Sequence, residues 1–364
     1  MSLSTAIMSV DVYGPSGDTV ARMNATIEAP TPSDILLVGA GPAGIAAALH
    51  FRQAGLRVRH VEEGATAQTI RHFPAGVHLF STRASLALPG FPFPGDPEGS
   101  PTREEYLAYL EDSISGAGLE VETATRAVAT ERVDGLHRVT VSGTDGRQRR
   151  IEACNVVVAS GGYFAPNILG IPGEDLDSVH HYFRSELIRS GGRFLVVGGR
   201  NSAVEAAVNI AEAGADVVIA YRKSRLPRAK IKPWLLPRFD AARRSGRLHV
   251  RYRAVPTEIV ADGAHLRHED GTVSLEPADA VFLLTGYGPD YRMLRDSAVR
   301  FHRRTRRPLF ADETLETKTP GVFLCGTVAL SVRGEQATIE NTRDHALWML
   351  DSIRARCREH AAGD

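Results

Sequence analysis

One pattern occurs twice in this chain and limits its fold more than any other feature. In the first copy, residues 34–38 (DILLV) are apolar, residues 39–44 (GAGPAG) form a glycine-rich segment, and an alanine- and leucine-rich run follows. This order predicts a strand, a tight turn and a helix. Gly39 makes the turn, Gly41 lets the backbone approach a pyrophosphate, and Gly44 lets the helix pack on the strand. This segment, termed the first glycine loop, is predicted to bind a dinucleotide, because the N–H groups at a helix start attract phosphate.

An acidic residue follows the first glycine loop at the distance that such a site requires. Residues 56–61 predict the next strand, and Glu62 comes directly after it, 18 residues beyond Gly44. A carboxylate there accepts hydrogen bonds from ribose hydroxyls. Glu63 is the alternative if the strand ends one residue later.

The second copy of the pattern carries the opposite charge. It predicts a strand over 193–197, a second glycine loop (GGRNSA) over 198–203, a helix, and a further strand over 216–221. Arg222 and Lys223 stand where an acidic residue is expected. A carboxylate would repel a 2′-phosphate and these cations attract it, so this site is predicted to bind NADPH in preference to NADH.

Within the second glycine loop, Arg200 replaces the middle glycine. Its side chain is expected to point away from the pyrophosphate or to reach over it. The predicted NADPH contacts are Gly198, Arg200, Asn201, Ser202, Arg222 and Lys223. The further basic residues from Arg225 to Lys232 are interpreted as solvated surface or a lid over the cofactor, and not as a nucleic-acid patch.

The spacing of the two loops predicts two nested domains. The 154 residues from Gly44 to Gly198 are too many for two halves of one domain. The turn-rich segment 163–175 is the expected crossing into the second domain, and the chain is expected to return after the apolar run 281–286. We therefore predict an α/β fold with two Rossmann-like dinucleotide-binding domains. The predicted bounds are a loosely ordered extension over 1–33, a first domain over 34–165 and 286–364, and a second domain over 166–285.

Composition narrows the choice of partner. The chain has 43 basic and 43 acidic side chains, so it has no net positive charge that would attract nucleic acid or an anionic membrane. No apolar run has the length of a membrane span, and the N-terminal residues lack the pattern of a signal peptide. We expect a cytoplasmic protein that acts on a small molecule and holds no metal.

The three cysteines do not form a local dithiol motif. Cys154 and Cys325 lie in apolar runs and are predicted to be buried structural thiols. Cys357 lies in a charged C-terminal segment and is given no role. Unpaired cysteines of this kind fit a reducing compartment.

Longer stretches of the chain carry a family resemblance. They are 78–94 (HLFSTRASLALPGFPFP), 162–176 (GYFAPNILGIPGEDL), 198–207 (GGRNSAVEAA), 232–239 (KPWLLPRF), 284–294 (LTGYGPDYRML) and 306–328 (RRPLFADETLETKTPGVFLCGTV). From about residue 33 onward the chain resembles the thioredoxin-reductase-like flavoproteins, and among them the YpdA-like bacillithiol disulfide reductases. The resemblance implies FAD on the first domain, NADPH on the second, and a homodimer.

The resemblance also extends the set of expected FAD contacts. Polar groups near the flavin are expected on the segment that contains His78, Ser81 and Thr82. A final helix is predicted over 336–350, and in the family the start of this helix lies against the flavin, with Gln336 as the preferred contact. The complete expected set is Gly39, Gly41, Pro42, Ala43, Gly44, Glu62, Glu63, His78, Ser81, Thr82, Val128, Ser160, Gly161, Gly326, Thr327, Gln336 and Ala337.

Two departures from the family concern sulfur. The bacillithiol disulfide reductases are expected to carry cysteine directly after the Gly-Pro of the first loop, where this chain has Ala43. Thioredoxin reductases carry C-x-x-C shortly before the second loop, where this chain has HYFR at 181–184. Without those thiols no mixed disulfide forms at either place, so disulfide reduction through a protein thiol is disfavoured.

Three functions remain open at this point. The first is an NADPH-dependent FAD oxidoreductase that passes hydride to the flavin and on to a small-molecule acceptor. The second is a monooxygenase that uses a hydroperoxyflavin, since residues 166–182 partly resemble a segment of flavin monooxygenases. The third is a reductase that donates electrons to a protein such as ferredoxin. No catalytic residue is assigned; His78 and His181 are the candidates, with His180 as an alternative to His181.

Overall fold

The N-terminal segment contains two paired strands. The computed structural model describes residues 6–13, 19–27, 32–163, 165–333 and 338–363. Strands β1 (Ala6–Tyr13) and β2 (Thr19–Ile27) pair antiparallel. This differs from the loosely ordered extension predicted for residues 1–33. Two runs rich in Val, Ile and Thr flank the turn-forming sequence GPSGD, which is a hairpin signal that composition alone does not show.

The first sheet is built around the first glycine loop. Its strands are β3 (Ser33–Val38), β4 (Val58–Val61), β5 (Val121–Glu122), β6 (Thr125–Val133), β7 (Leu136–Gly143), β8 (Gln148–Val158) and β19 (Val322–Leu324). The order β5-β4-β3-β8 is parallel. The first half of β8 pairs antiparallel with β7, which pairs with β6, and its second half pairs parallel with β19. The carboxyl ends of β3, β8 and β19 therefore meet at one edge.

Helices cover this sheet on both faces. They are α1 (Pro42–Gln53), α2 (Gln68–Arg71), α3 (Arg83–Leu86), α4 (Arg103–Gly116), α7 (Arg292–Arg295), α8 (Thr327–Arg333) and α9 (His345–Gly363). Helix α1 is buried on two sides. Ala47 and Phe51 pack with the sheet core, and Ile45 and Leu49 pack with Tyr106 of α4. Its run of alanines lets both neighbours approach closely.

A second sheet forms a separate unit with its own core. Its strands are β10 (Val179–His180), β11 (Arg193–Val197), β12 (Asp216–Tyr221), β13 (Leu248–Tyr252) and β17 (Ala280–Leu283), all parallel in the order β10-β17-β11-β12-β13. Helices α5 (Asn201–Glu212) and α6 (Leu235–Arg244) pack on one face. An antiparallel sheet of β14 (Val255–Val260), β15 (Gly263–Arg267) and β16 (Val273–Pro277) packs on the other.

The chain enters and leaves the second unit side by side. The short strands β9 (Ala165–Pro166) and β18 (Tyr287–Gly288) pair antiparallel. The Asn167 N–H adds a hydrogen bond of 3.0 Å to the carbonyl of Gly286. One mixed and one parallel sheet, both flanked by helices, with one unit inserted into the other, confirm the predicted α/β fold class. No helix within the described ranges is long and apolar enough to cross a membrane.

The helix predicted over 336–350 begins later than predicted. Residues 338–344 form turns, and α9 begins only at His345. The sequence NTRD at 341–344 explains this, because Asn, Thr and Asp side chains compete for backbone hydrogen bonds and Asp favours the position before a helix. Gln336 and Ala337 lie outside the described residues. The helix that directly follows Gly326 is α8.

Candidate functional site

Close packing around the first glycine loop explains two of its glycines. Gly39 has φ +104°, and a Cβ atom there would lie 2.5 Å from the carbonyl oxygen of Ala159. A Cβ atom on Gly44 would lie 2.0 Å from the carbonyl oxygen of Gly39. Gly41 has open space around its Cα at the start of α1. The loop thus has tight contacts on its protein side and an open backbone where a pyrophosphate would approach.

Glu62 is held at the edge of this loop. One carboxylate oxygen accepts the N–H of Ala40 at 2.7 Å and the other accepts the N–H of Gly64 at 2.8 Å. Each oxygen keeps a lone pair for another donor. Glu63 points elsewhere, with its carboxylate 3.8 Å from Arg126 and 3.4 Å from Arg292. Of the two acidic residues, Glu62 has the position that suits a ribose.

Sequence reasoning missed His60, whose imidazole ring contacts the backbone of the first glycine loop. Its Nε2 lies 2.9 Å from the carbonyl oxygen of Gly39, and the ring is buried. Burial lowers the pKa of His60 to about 4, so the ring is neutral at pH 7 and donates from Nε2 to that carbonyl. The strand that carries it, Val58–Val61 (VRHV), also contains Arg59, so no local pattern distinguishes this histidine from its polar neighbour.

The pKa of His60 predicts how stability depends on pH. Its value of about 4 lies below the ordinary 6.5, so the unfolded chain binds the proton more readily. The contribution of His60 to the free energy of unfolding is complete above pH 6.5. It is lost as the pH falls toward 4, by up to about 1.4 kcal/mol per pH unit. Burial also lowers the pKa of His137 to about 4, so His137 destabilises the fold over the same pH range.

We expect His60→Gln to weaken this acid destabilisation in thermal melts between pH 7 and 4, whereas the exposed His78→Gln leaves it unchanged. Equal pH profiles for wild type and His60→Gln would contradict this.

The carboxyl ends of β8 and β19 complete the first site. Gly161 has φ +79°, and a Cβ atom there would lie 3.8 Å from the hydroxyl of Thr327. Ser160 donates to the carbonyl of Asp290 at 3.3 Å. The N–H of Gly326 donates to Nδ1 of His345 at 3.1 Å. Sequence reasoning missed His345, because no local pattern links it to a strand nineteen residues earlier.

The other predicted polar residues on this unit have partners within the protein. His78 is exposed and its Nδ1 lies 3.0 Å from the carbonyl of Ser100. Ser81 donates to Glu340 at 2.9 Å, and Thr82 caps α3 by accepting the Ser85 N–H. Val128 is half-buried beside an irregularity in the pairing of β6 with β7. None of these contacts by itself identifies a catalytic group.

Two buried polar atoms in the segment before α9 have no partner among the described residues. They are Oε2 of Glu340 and the hydroxyl of Thr338. Such atoms normally bond to something, and a ligand with polar edges would satisfy them. Together with the open backbone at Gly41, they fit a bound flavin nucleotide.

The second glycine loop repeats the close packing of the first. Gly198 has φ +147°, and a Cβ atom there would lie 2.4 Å from the carbonyl oxygen of Leu284. A Cβ atom on Gly199 would lie 2.4 Å from the ring of Tyr221. Helix α5 begins directly after Arg200, so its first N–H groups face the space above β11.

The predicted NADPH contacts occupy this end of the second sheet. Arg200, Ser202, Arg222 and Lys223 are all exposed, and none of the three cations forms an ion pair within the described ranges. Asn201 instead accepts the backbone N–H of Lys232 at 2.9 Å and fixes the basic segment. Within that segment Arg228 is neutralised by Asp240. The unpaired cations therefore lie where a 2′-phosphate would reach.

Aromatic and cation–π contacts join the units. His72 stacks on Tyr182 with ring centroids 4.7 Å apart, and Tyr182 stacks on Tyr287. Lys232 lies over the ring of Phe80, and burial lowers the pKa of its ammonium to about 8. Sequence reasoning missed this cation–π contact, because the two residues belong to different units.

The histidine candidates of the second unit lie near the first of these contacts. Nε2 of His181 is 3.7 Å from Glu174, and its carbonyl accepts the hydroxyl of Tyr287. Nδ1 of His181 is buried without a partner among the described residues. His180 packs on Phe282 inside the second unit.

One sulfur lies beside the first glycine loop. Sγ of Cys325 is 3.9 Å from the carbonyl oxygen of Ala43, and a Cβ atom on Gly326 would lie 2.7 Å from the Ala43 Cβ. Cys325 has no exposed surface, and burial raises the pKa of its thiol to about 12. It is therefore protonated and is not a nucleophile at neutral pH.

Two glycine loops, one with a carboxylate and one with free cations, define an oxidoreductase that uses FAD and a nicotinamide dinucleotide. The chain belongs to the family described as pyridine nucleotide-disulphide oxidoreductase, which matches residues 36–326. This confirms the thioredoxin-reductase-like resemblance.

Individual relatives agree with the family. The chain is 31% identical to bacilliredoxin reductase Bdr of Bacillus subtilis (strain 168) over 321 residues, which are 88% of this chain and 97% of the relative. It superposes on bacillithiol disulfide reductase Bdr (YpdA) from Bacillus cereus with a TM-score of 0.82 and 29% identity, over 90% of this chain and 100% of that one. It is also 28% identical to a ferredoxin–NADP reductase of Ignicoccus hospitalis, over 81% of this chain and 90% of the relative.

Proposed function

We propose that this chain passes reducing equivalents from NADPH through FAD to a small-molecule acceptor without a redox-active cysteine. The FAD-binding domain would comprise residues 34–165 and 286–364, and the NADPH-binding domain residues 166–285. When both are bound, NADPH supplies a hydride and FAD accepts it. The residues that would hold FAD are Gly39, Gly41, Gly44, Glu62, Ser160, Gly161, Gly326 and Thr327. Those that would hold NADPH are Gly198, Arg200, Ser202, Arg222 and Lys223.

The protein groups have defined tasks in this proposal. The N-terminal N–H groups of α1 and α5 bind the two pyrophosphates, and Glu62 orients a ribose. Neutral His60 keeps the carbonyl of Gly39 turned away from the phosphate side. The aromatic stack of His72, Tyr182 and Tyr287 packs across the junction of the two units.

The observation that carries the proposal is the absence of a thiolate at the first loop. Ala43 occupies the position where the resembling reductases are expected to have cysteine, and the neighbouring Cys325 is buried and protonated. The other two cysteines of the chain, Cys154 and Cys357, lie at the amino end of β3. Electrons therefore leave the flavin site directly.

A protein acceptor is a second candidate. The relative from Ignicoccus hospitalis is a ferredoxin–NADP reductase, and the basic run at 222–232, which includes the exposed Arg225 and Lys230, suits an acidic partner. We further propose a cytoplasmic homodimer, as the resemblance to the bacillithiol disulfide reductases implies.

The acceptor can be tested by rapid mixing. Enzyme reduced by NADPH without air is mixed in turn with a small quinone, a low-molecular-weight disulfide, oxidised ferredoxin and oxygenated buffer, and flavin absorbance reports reoxidation. We expect the quinone to reoxidise the flavin about 100-fold faster than the disulfide, a difference of about 3 kcal/mol in activation free energy. Fastest reoxidation by ferredoxin would favour the second candidate. Rapid reoxidation by the disulfide would contradict the proposal.

A further inference from the structure

Two cysteines that are far apart in the sequence meet at the amino end of β3. The sulfurs of Cys154 and Cys357 and a carboxylate oxygen of Asp34 all lie within 4.8 Å of one another. Cys154 is buried in β8, and Cys357 is half-exposed on α9. The site is about 16 Å along β3 from the first glycine loop, so it is separate from the nucleotide site. The sequence interpretation, which gave Cys357 no role, did not foresee this pair.

Polar neighbours hold the sulfurs in place. The side-chain amide of Asn155 donates to Sγ of Cys357 at 3.5 Å and to the carbonyl of Asp34 at 3.2 Å. The Asp34 carboxylate accepts from Arg57, at 2.9 Å from its Nη2 and 2.8 Å from its backbone nitrogen. The carboxylate is thus already neutralised by a guanidinium. The three donor groups of this cluster would by themselves suit a divalent metal ion. The permanent positive charge of Arg57 repels such an ion, so it disfavours metal binding here.

The same neighbours favour thiol chemistry. The hydrogen bond from Cys357 lowers the pKa of the Cys154 thiol and outweighs burial and the Asp34 carboxylate, which act to raise it, and the positive charge of Arg57 lowers it further. That hydrogen bond raises the pKa of Cys357. The pair therefore gives up its first proton more readily than an isolated thiol does, which is the condition for reaction with a peroxide.

We propose that Cys154 and Cys357 form a redox-responsive pair, which hydrogen peroxide converts to a disulfide that fastens α9 to β8. One thiolate attacks the O–O bond, so a sulfenic acid forms and hydroxide leaves as water after protonation. The second thiol then attacks the sulfenic sulfur, its proton goes to the departing hydroxyl, and a second water leaves. Two thiols are oxidised and one peroxide is reduced to two waters.

The cross-link would act on a helix that reaches the first site. Helix α9 begins at His345, which accepts the N–H of Gly326, and carries Cys357 about three turns later. A bond at Cys357 therefore restrains this helix in its second half. The cross-link also closes a long loop in the unfolded chain, so oxidation is expected to stabilise the fold.

The test uses the full-length FAD-loaded protein without NADPH. After hydrogen peroxide treatment and denaturation, thiols are counted and peptides are mapped with and without dithiothreitol. We expect wild type to keep about one of its three thiols and Cys325→Ala to keep none, because two thiols enter each cross-link. The Cys154–Cys357 peptide should appear only without dithiothreitol. The apparent melting temperature should rise by about 5 °C on oxidation, in wild type and Cys325→Ala but not in Cys357→Ser or Cys154→Ser.

Several results would overturn the proposal. Three surviving thiols, a bond that joins Cys357 of two chains, or copurified zinc that protects the thiols would each exclude the intrachain disulfide. If the serine variants fold poorly, Cys357→Ala is the substitute. Alanine is smaller than cysteine and adds no polar group at this partly exposed position. Loss of the melting shift in Cys325→Ala would also contradict the assignment.

Discussion

Gly41→Ala is expected to abolish most FAD binding while leaving the apoprotein intact. The position has open space in the structure, so an added methyl group meets no protein atom. It would instead occupy the path by which the backbone approaches the pyrophosphate. A cost of about 3 kcal/mol corresponds to an affinity about 100-fold weaker. Flavin fluorescence quenching measures the affinity, and thermal melting of apoprotein measures the fold.

Gly44→Ala is the matched comparison, because the same methyl group meets protein there. Its Cβ would lie 2.0 Å from the carbonyl of Gly39, so α1 must move away from β3. We expect the apoprotein itself to be destabilised by about 3 kcal/mol or more. Unchanged FAD affinity in Gly41→Ala would show that the first glycine loop is not the pyrophosphate site. An unchanged melting temperature in Gly44→Ala would show that the close approach is not required.

Replacing Arg222 and Lys223 is expected to remove the preference for NADPH. Both cations directly follow β12 and are free of ion pairs within the described part of the chain. A charged hydrogen bond contributes about 1.5–3 kcal/mol. Each alanine substitution should therefore lower kcat/KM for NADPH by about 10- to 100-fold and leave kcat/KM for NADH nearly unchanged, because NADH lacks the 2′-phosphate.

Arg267→Ala is the control for this experiment. Arg267 is an exposed arginine of the same unit, but it lies on β15 of the antiparallel sheet. Its substitution should leave both nicotinamide substrates unaffected. Equal losses for NADPH and NADH in Arg222→Ala would mean that the cation supports the fold or the pyrophosphate and does not select the 2′-phosphate.

Local patterns predicted the nucleotide-binding framework well. The predicted strands 193–197 and 216–221 coincide with β11 and β12, and the first predicted helix is α1. This succeeded because a strand, a glycine turn and a helix need only neighbouring residues, and because Gly39 and Gly198 have backbone angles that favour glycine.

Features that depend on distant contacts could not be predicted in this way. His60 and His345 each bind the backbone of a glycine that sequence alone does not place beside them. The contact of Lys232 with Phe80 depends on how the second unit lies on the first. The start of α9 lies nine residues later than the predicted helix start at Gln336, because residues 341–344 favour a turn.

The most direct test of the central claim is NADPH-dependent quinone reduction by an enzyme without cysteine. The variant Cys154→Ser/Cys325→Ala/Cys357→Ser is loaded with FAD and compared with wild type that has been reduced with dithiothreitol and desalted. We predict kcat/KM values within about twofold of each other, since no thiol takes part in electron transfer. A folded, FAD-loaded variant that loses about 100-fold or more of this activity would contradict the proposed thiol-free mechanism.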